Sequence, residues 1–346
     1  VANDLRVNLT DVAGRTSSRL DDFGGAVPVD AALVLPSFVT TETASLTLQM
    51  DFGSLFPSFT LGKTSDNSTV QWNVVDNFTI QAGRHAMKVG VDYRRLAVDL
   101  VANTSVSPNF PTLAQFNTGV VPSLSVTARK QDIRPIVENF SLYAQDTWRV
   151  RERLTLTYGV RWDLNPAPKT PDDRAPMTLI GTDSPATLDV APVGTPLFPT
   201  RYNNFAPRLG ASYVLRQTPG METVLRGGGG LYYDLGTSLA LFGYEGYPHR
   251  ITVNYPNVTF PLNTASLEPP VFRDTPPYTT ALGYVSDFVS PRTWQWNATV
   301  EQSLGRSQSL TVAYVGAAGR KLARAENYTR PNARFGDTVR IMRNSA

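Results

Sequence analysis

Hydrophobic and polar residues alternate strictly over several stretches of the chain. In residues 154–163, Leu154, Leu156, Tyr158, Val160 and Trp162 occupy one parity, and Thr155, Thr157, Gly159, Arg161 and Asp163 the other. Residues 293–301 place Trp294, Trp296, Ala298 and Val300 against Thr293, Gln295, Asn297, Thr299 and Glu301. Residues 71–80 place Trp72, Val74, Phe78 and Ile80 against Gln71, Asn73, Asn77 and Thr79. Period two marks strands with one apolar and one polar face; a helix does not keep this parity. Looser alternation runs through Met87, Val89, Val91 and Tyr93; Phe140, Leu142, Ala144 and Trp148; Leu209, Ala211, Tyr213 and Leu215; and Leu310, Val312 and Tyr314. Leu5, Val7 and Leu9 supply one more strand, and Leu46, Leu48 and Met50 alternate again in a long segment after it.

Short connections join these strands in pairs and predict hairpins over residues 69–99, 136–165, 203–235 and 292–317. The segments between and around the hairpins, 11–68, 101–135, 166–202, 236–291 and 319–346, read as long loops. Three of them, 101–135, 166–202 and 236–291, hold 20 of the 26 prolines, a residue expelled from sheet interiors because it lacks the ladder N–H. Short turns therefore gather at one end of the strands and long loops at the other.

That asymmetry bears on the environment. Soluble sandwiches use strands of about five or six residues with short connections at both ends, whereas these run to about 11–14. A strand tilted across a bilayer needs about 9–11 residues, and outer-membrane barrels pair short periplasmic turns with long external loops. The expected fold is all-β: a transmembrane antiparallel up-and-down β-barrel, present in part, with about nine strands of a larger barrel in a single segment spanning 1–346 and long extracellular loops. Outer-membrane lipid meets its apolar face. Its polar face lines a wet lumen, and Trp148 and Trp162 near strand ends suit the aromatic girdles. Alternation alone also fits a large soluble β-sandwich, which would pack the apolar faces on each other.

Several stretches resemble a known family. Asp76-Asn77-Phe78-Thr79 with Gly83-Arg84-His85-Ala86-Met87-Lys88-Val89-Gly90-Val91-Asp92-Tyr93-Arg94-Arg95 resembles the barrel of TonB-dependent outer-membrane receptors. So do Tyr143-Ala144-Gln145-Asp146-Thr147-Trp148 followed by residues 154–163, and Asn203-Asn204-Phe205-Ala206-Pro207-Arg208-Leu209-Gly210. The likeness extends over about Phe59 to Gly319 and is to the Oar-like branch, large receptors with a carboxypeptidase-regulatory-like module ahead of plug and barrel. It implies a barrel of about 22 strands with an internal plug. It also implies energised uptake of a bulky, unidentified substrate by a parent protein coupled to the TonB energy-transducing complex, in the bacterial outer membrane. No plug, regulatory module, TonB box or signal peptide is recognisable here, so the chain reads as an internal piece of such a barrel.

Composition removes other classes. There is no Cys, which excludes disulfide frameworks, thiolate zinc sites and a Cys nucleophile. No apolar run is long enough for a membrane helix. The net charge of +3 is too mild for a nucleic-acid partner, and the basic excess is local to Arg320–Ala346, read as a solvated loop. Gly62-Lys63-Thr64 lacks the P-loop glycine, with Pro57 in its place, and Gly227–Gly230 lies inside an alternating strand rather than at a strand-to-helix turn. Gly236-Thr237-Ser238-Leu239-Ala240 is a loose likeness to a nucleophile elbow, with only Glu245 and His249 to complete it. The two histidines, His85 and His249, give no metal motif, His85 reading as a solvated turn residue; Asp66-Asn67 and Asp172-Asp173 lack EF-hand spacing. No cofactor, metal or catalytic residue is expected. The candidate lumen-facing contacts for substrate or plug are Arg161, Asp163, Arg208, Gln295 and Glu301. A passive porin, or an outer-membrane surface or adhesion structural protein, is the alternative function.

Overall fold

The computed structural model describes residues 1–51, 58–171, 174–262 and 267–345. Its elements are nearly all strands. The first half contains β1 (Ala2–Ser18), β2 (Ala44–Met50), β3 (Ser58–Ala82), β4 (His85–Leu100), β5 (Thr104–Phe110), β6 (Val120–Arg129), β7 (Ile136–Arg151) and β8 (Leu154–Leu164). The second contains β9 (Leu179–Ile180), β10 (Asp189–Val190), β11 (Phe205–Arg216), β12 (Thr223–Tyr233), β13 (Arg250–Thr259), β14 (Ala281–Tyr284), β15 (Arg292–Leu304), β16 (Gln308–Arg320), β17 (Ala323–Thr329) and β18 (Thr338–Asn344). Two short helices, α1 (Leu113–Thr118) and α2 (Thr237–Phe242), lie in connections.

Strands β1, β3, β4, β7, β8, β11, β12, β15 and β16 lie side by side in that order, every neighbour antiparallel. The sheet is not closed: among the described residues β1 and β16 are the edges of this meander. Its register keeps each parity on one face. Val89 stands opposite Ala144, and Ala144 opposite Val160; Leu9 stands opposite Trp72. The β3–β4 turn is two residues, with Gly83 at φ 57°, a left-handed conformation that costs glycine little.

The apolar face of the meander is uncovered. Leu9, Trp72, Val89, Leu142, Val160, Leu209, Trp294 and Val312 are all exposed. A soluble sandwich buries this face against a second layer, so the sandwich alternative does not describe this fold. A contiguous apolar surface of this extent requires an apolar partner, and a row of alternating strands without helices presents it as barrels do to lipid.

The long connections differ from their expected form. The segment 11–68 is not a loop throughout: β1 continues to Ser18, β2 follows, and β3 begins at Ser58. Segment 101–135 contains β5 and β6, 166–202 the short β9 and β10, and 236–291 α2, β13 and β14. Parts of these segments at 52–57, 172–173 and 263–266 lie outside the described residues, as does residue 346. Proline misled because it sits where the ladders lapse. Pro108 falls where β2–β5 pairing skips from Val106 to Asn109, and Pro122 lies opposite Asn257, a left-handed residue at φ 52° where β6–β13 pairing skips one position. The segment 319–346 is likewise no solvated loop. β17 and β18 pair within it, Val339 and Ile341 are buried, and Arg343 binds Glu326 at 2.6 Å.

These extra strands build a cap at the long-connection end, with two cores. In one, β2 pairs with the far end of β3 and, in parallel, with β5; β6 and β13 extend the layer over Leu46, Leu48, Val106, Phe110, Leu124 and Val126. In the other, β14 pairs in parallel with β18 over Tyr244, Ile251, Tyr284, Phe335, Val339 and Ile341. The buried core thus lies in the connections, not between the long strands. Ile341→Ala is expected to cost the cap about 2–5 kcal/mol through the lost side chain and the cavity left behind. Limited trypsinolysis of the purified protein in detergent should then cut within 166–202 and 236–291 while the meander strands stay protected.

Candidate functional site

The register of the meander turns single residues into rows across its polar face. One row reads Lys88, Gln145, Gly159, Arg208, Gly230 and Gln295, each opposite the next. The next row towards the cap holds Gly90, Tyr143 and Arg161, and the row beyond it Asp92, Ser141 and Asp163. Strand parity aims these side chains to one side, and at Gly90 and Gly230 the neighbouring Tyr143 and Arg208 side chains occupy the place a Cβ would take. At Gly159 a Cβ would stand 2.6 Å from the Ala144 carbonyl oxygen, so the close approach of β7 and β8 excludes any side chain there.

Arg161 and Asp163 meet directly. The Arg161 Nε donates to Asp163 Oδ1 at 2.8 Å, and its Nη2 donates to Asp92 Oδ2 at 2.9 Å and Ser141 Oγ at 2.7 Å. Ser141 Oγ donates to Asp163 Oδ1 at 2.7 Å, and Asn73 Nδ2 donates to Asp92 Oδ1 at 2.7 Å. The Arg161 guanidinium lies 5.7 Å from the Tyr143 ring centre, and the Tyr143 hydroxyl donates to Asn77 Oδ1. One guanidinium therefore ties two carboxylates from β4 and β8 across the intervening β7. Asp163, Ser141 and Asn77 are buried in this network.

Arg208 and Gln295 belong to a different feature. Both line a cavity of about 250 Å³ on the polar face with Gln145, Gly159, Gly228 and Tyr232. The Arg208 guanidinium carbon lies 4.4 Å from the Tyr232 ring centre, a cation–π contact. Glu301 lies nearer the short turns and is paired with Arg226 at 3.0 Å, both partly open to solvent. The five candidates thus divide into a structural tie, an open cavity wall and a peripheral ion pair. Lys88, Gln145, Asp92 and Tyr143 were not among them. Lys88 and Asp92 do alternate with Met87, Val89 and Val91, but only register shows which residues on other strands they meet.

Outside the rows, His85 is not a solvated turn residue. Its Nδ1 lies 2.6 Å from Asp146 Oδ2, its ring stacks on Trp148, and the Tyr158 hydroxyl donates to the same Asp146 oxygen at 2.8 Å. Gly62, Lys63 and Thr64 lie within β3, and Lys63 approaches Asp66 at 3.5 Å. Asp172 and Asp173 lie outside the described residues, as does Pro57. In the cap, Glu245 accepts from Arg129 and Arg250. His249 is buried and stacks on Tyr244 at 5.6 Å. Burial first, then the Arg129 and Lys130 cations, push its imidazole down to about 4, against opposing hydrogen bonds to the Arg174 and Ala175 backbone.

A family model for an outer membrane beta barrel domain matches residues 1–344. No curated protein sequence matches the chain. Among solved structures, the outer membrane transporter YddB from Escherichia coli is similar at 12% identity and a TM-score of 0.40, over 86% of this chain and 32% of that one. The copper transporter OprC is similar at 10% identity and 0.45, over 99% and 38%. The siderophore receptor PirA from Pseudomonas aeruginosa is similar at 11% identity and 0.35, over 83% and 46%. The chain spans from about a third to under a half of the length of these proteins.

Two outcomes test the electrostatics of the site and the cap. Arg161→Met strands Asp92 and Asp163 together and is expected to cost about 3 kcal/mol in urea unfolding in detergent, part of which Asp92→Asn restores on that background. His249 is neutral when folded, whereas the unfolded chain takes up a proton near pH 6.5. Its contribution to cap stability is therefore complete above pH 6.5 and is lost as pH falls towards 4. Protection factors of the cap amides in hydrogen exchange, corrected for the intrinsic pH dependence of exchange, should fall over that window in the wild type and change less in His249→Gln.

Proposed function

The chain belongs to the outer membrane beta barrel domain family, and on that premise we propose that its meander is a wall segment of a TonB-dependent receptor, of the Oar-like type, for energised uptake of a bulky substrate. Its place is the bacterial outer membrane. The exposed apolar face meets lipid there, and the polar rows face water inside the barrel. The observation that carries the transport reading is the contrast between the two faces: the outward one is apolar, while the inward one holds a fixed Arg161 network beside an open cavity lined by Arg208 and Gln295. A wall that served only to span the membrane would need neither. The hairpins that resemble TonB-dependent receptors support the energised form over a passive pore. The folded cap supports selection of the substrate at the surface, since its two cores hold the long connections in defined positions.

The parent protein would supply the plug and the TonB-coupling segment. The test uses the full-length protein. It should retain the periplasmic domain of TonB in co-purification and show no steady conductance in planar bilayers, because a plug blocks the lumen. Steady open conductance without TonB retention would establish a passive porin instead.

A further inference from the structure

Lys88 and Arg208 face one cavity on the polar wall and have no carboxylate partner within ion-pair distance among the described residues. The cavity is about 260 Å³ and is lined by Lys88, Tyr143, Gln145, Gly159, Arg161 and Arg208. Three cations therefore face one space. Arg161 is already neutralised by Asp92 and Asp163, which lie one row nearer the cap. Lys88 and Arg208 remain uncompensated, on either side of the Gln145 and Gly159 positions in a single row.

We propose that this cavity is an oxyanion site, built for a carboxylate or phosphate group. Three features favour that class. The Tyr232 ring holds the Arg208 guanidinium carbon 4.4 Å from its centre, a cation–π contact that takes up none of the N–H fork, which can meet two oxygens at once. Lys88 adds a mobile ammonium from across the cavity, and the Gln145 amide supplies a neutral donor between them. Gly159 lines the cavity between them with backbone alone. A cation would meet two uncompensated positive charges, and a neutral solute would leave both of them unpaired.

This inference rests on the polar face being the wall of a lumen, but it concerns binding and not energised uptake, so the two readings fail separately. The acidic group has two possible sources: a solute in the lumen, or an acidic side chain of the protein's own polypeptide. The test is calorimetric titration of citrate and, separately, inorganic phosphate into the full-length protein in detergent at low salt. Folding of each variant is checked by its heat-modifiable migration on gels. If the group comes from solute, both anions bind the wild type; Lys88→Gln and Arg208→Gln each weaken binding by roughly tenfold, and Arg208→Lys, which keeps charge but loses the fork, weakens it by less. If it comes from the protein itself, neither anion binds the wild type, and Lys88→Gln and Arg208→Gln lower the thermal midpoint non-additively. Arg226→Gln, which removes a cation already paired with Glu301, changes none of these readouts. Equal effects of Arg226→Gln, or neither anion binding nor coupled loss of stability, would overturn the proposal.

Discussion

Hydrocarbon offers no hydrogen-bond partner to a peptide group, and this constraint organises the rest of the molecule. Every strand of the meander except the two at its edges is paired on both sides, over ladders as long as the 16 residues of β4. Once the backbone must be satisfied within the sheet, side chains can only point to its two faces. The apolar set then goes to lipid and the polar set to the interior. Irregular backbone is confined to the ends. That is why the cap, with its prolines, ladder gaps and short helices, lies wholly in the long connections, and why the buried cores lie there too.

The same register that satisfies the backbone assembles the site. Asp92, Ser141 and Asp163 are far apart in sequence, yet they share one row because two antiparallel ladders bring them level. Arg161 reaches Asp92 across the strand between them. A one-residue slip at any of these ladders would send one partner to the lipid face. The network therefore depends on the exact pairing, and in turn a buried charge left without its partner penalises the wrong one.

The hairpins were legible because each long strand is amphipathic by itself: alternation in residues 154–163 needs no neighbour to be recognised. The cap strands were harder. Leu124, Val126 and Ala128 alternate with Ser123, Ser125 and Thr127, but the signal is short and lies among prolines, whose positions opposite ladder gaps are a tertiary property. The basic residues near the end of the chain concealed Val339 and Ile341 in the same way, since salt bridges to Glu326 and Asp189 make that charge compatible with a folded sheet. For the site, parity revealed that Arg161, Asp163, Arg208, Gln295 and Glu301 share a face. It could not reveal which of them touch, because that depends on turn length and bulges such as the register shift between Arg149 and Arg151.

The cap also acts as a brace across the sheet. Its β2–β5 contact joins connections that flank the β3–β4 hairpin, and its β6–β13 contact joins connections separated by β7, β8, β11 and β12. An even number of antiparallel strands separates each pair of connections, so both members of each pair emerge at the same end of the sheet, and the cap pairings tie together strands that are far apart along the meander.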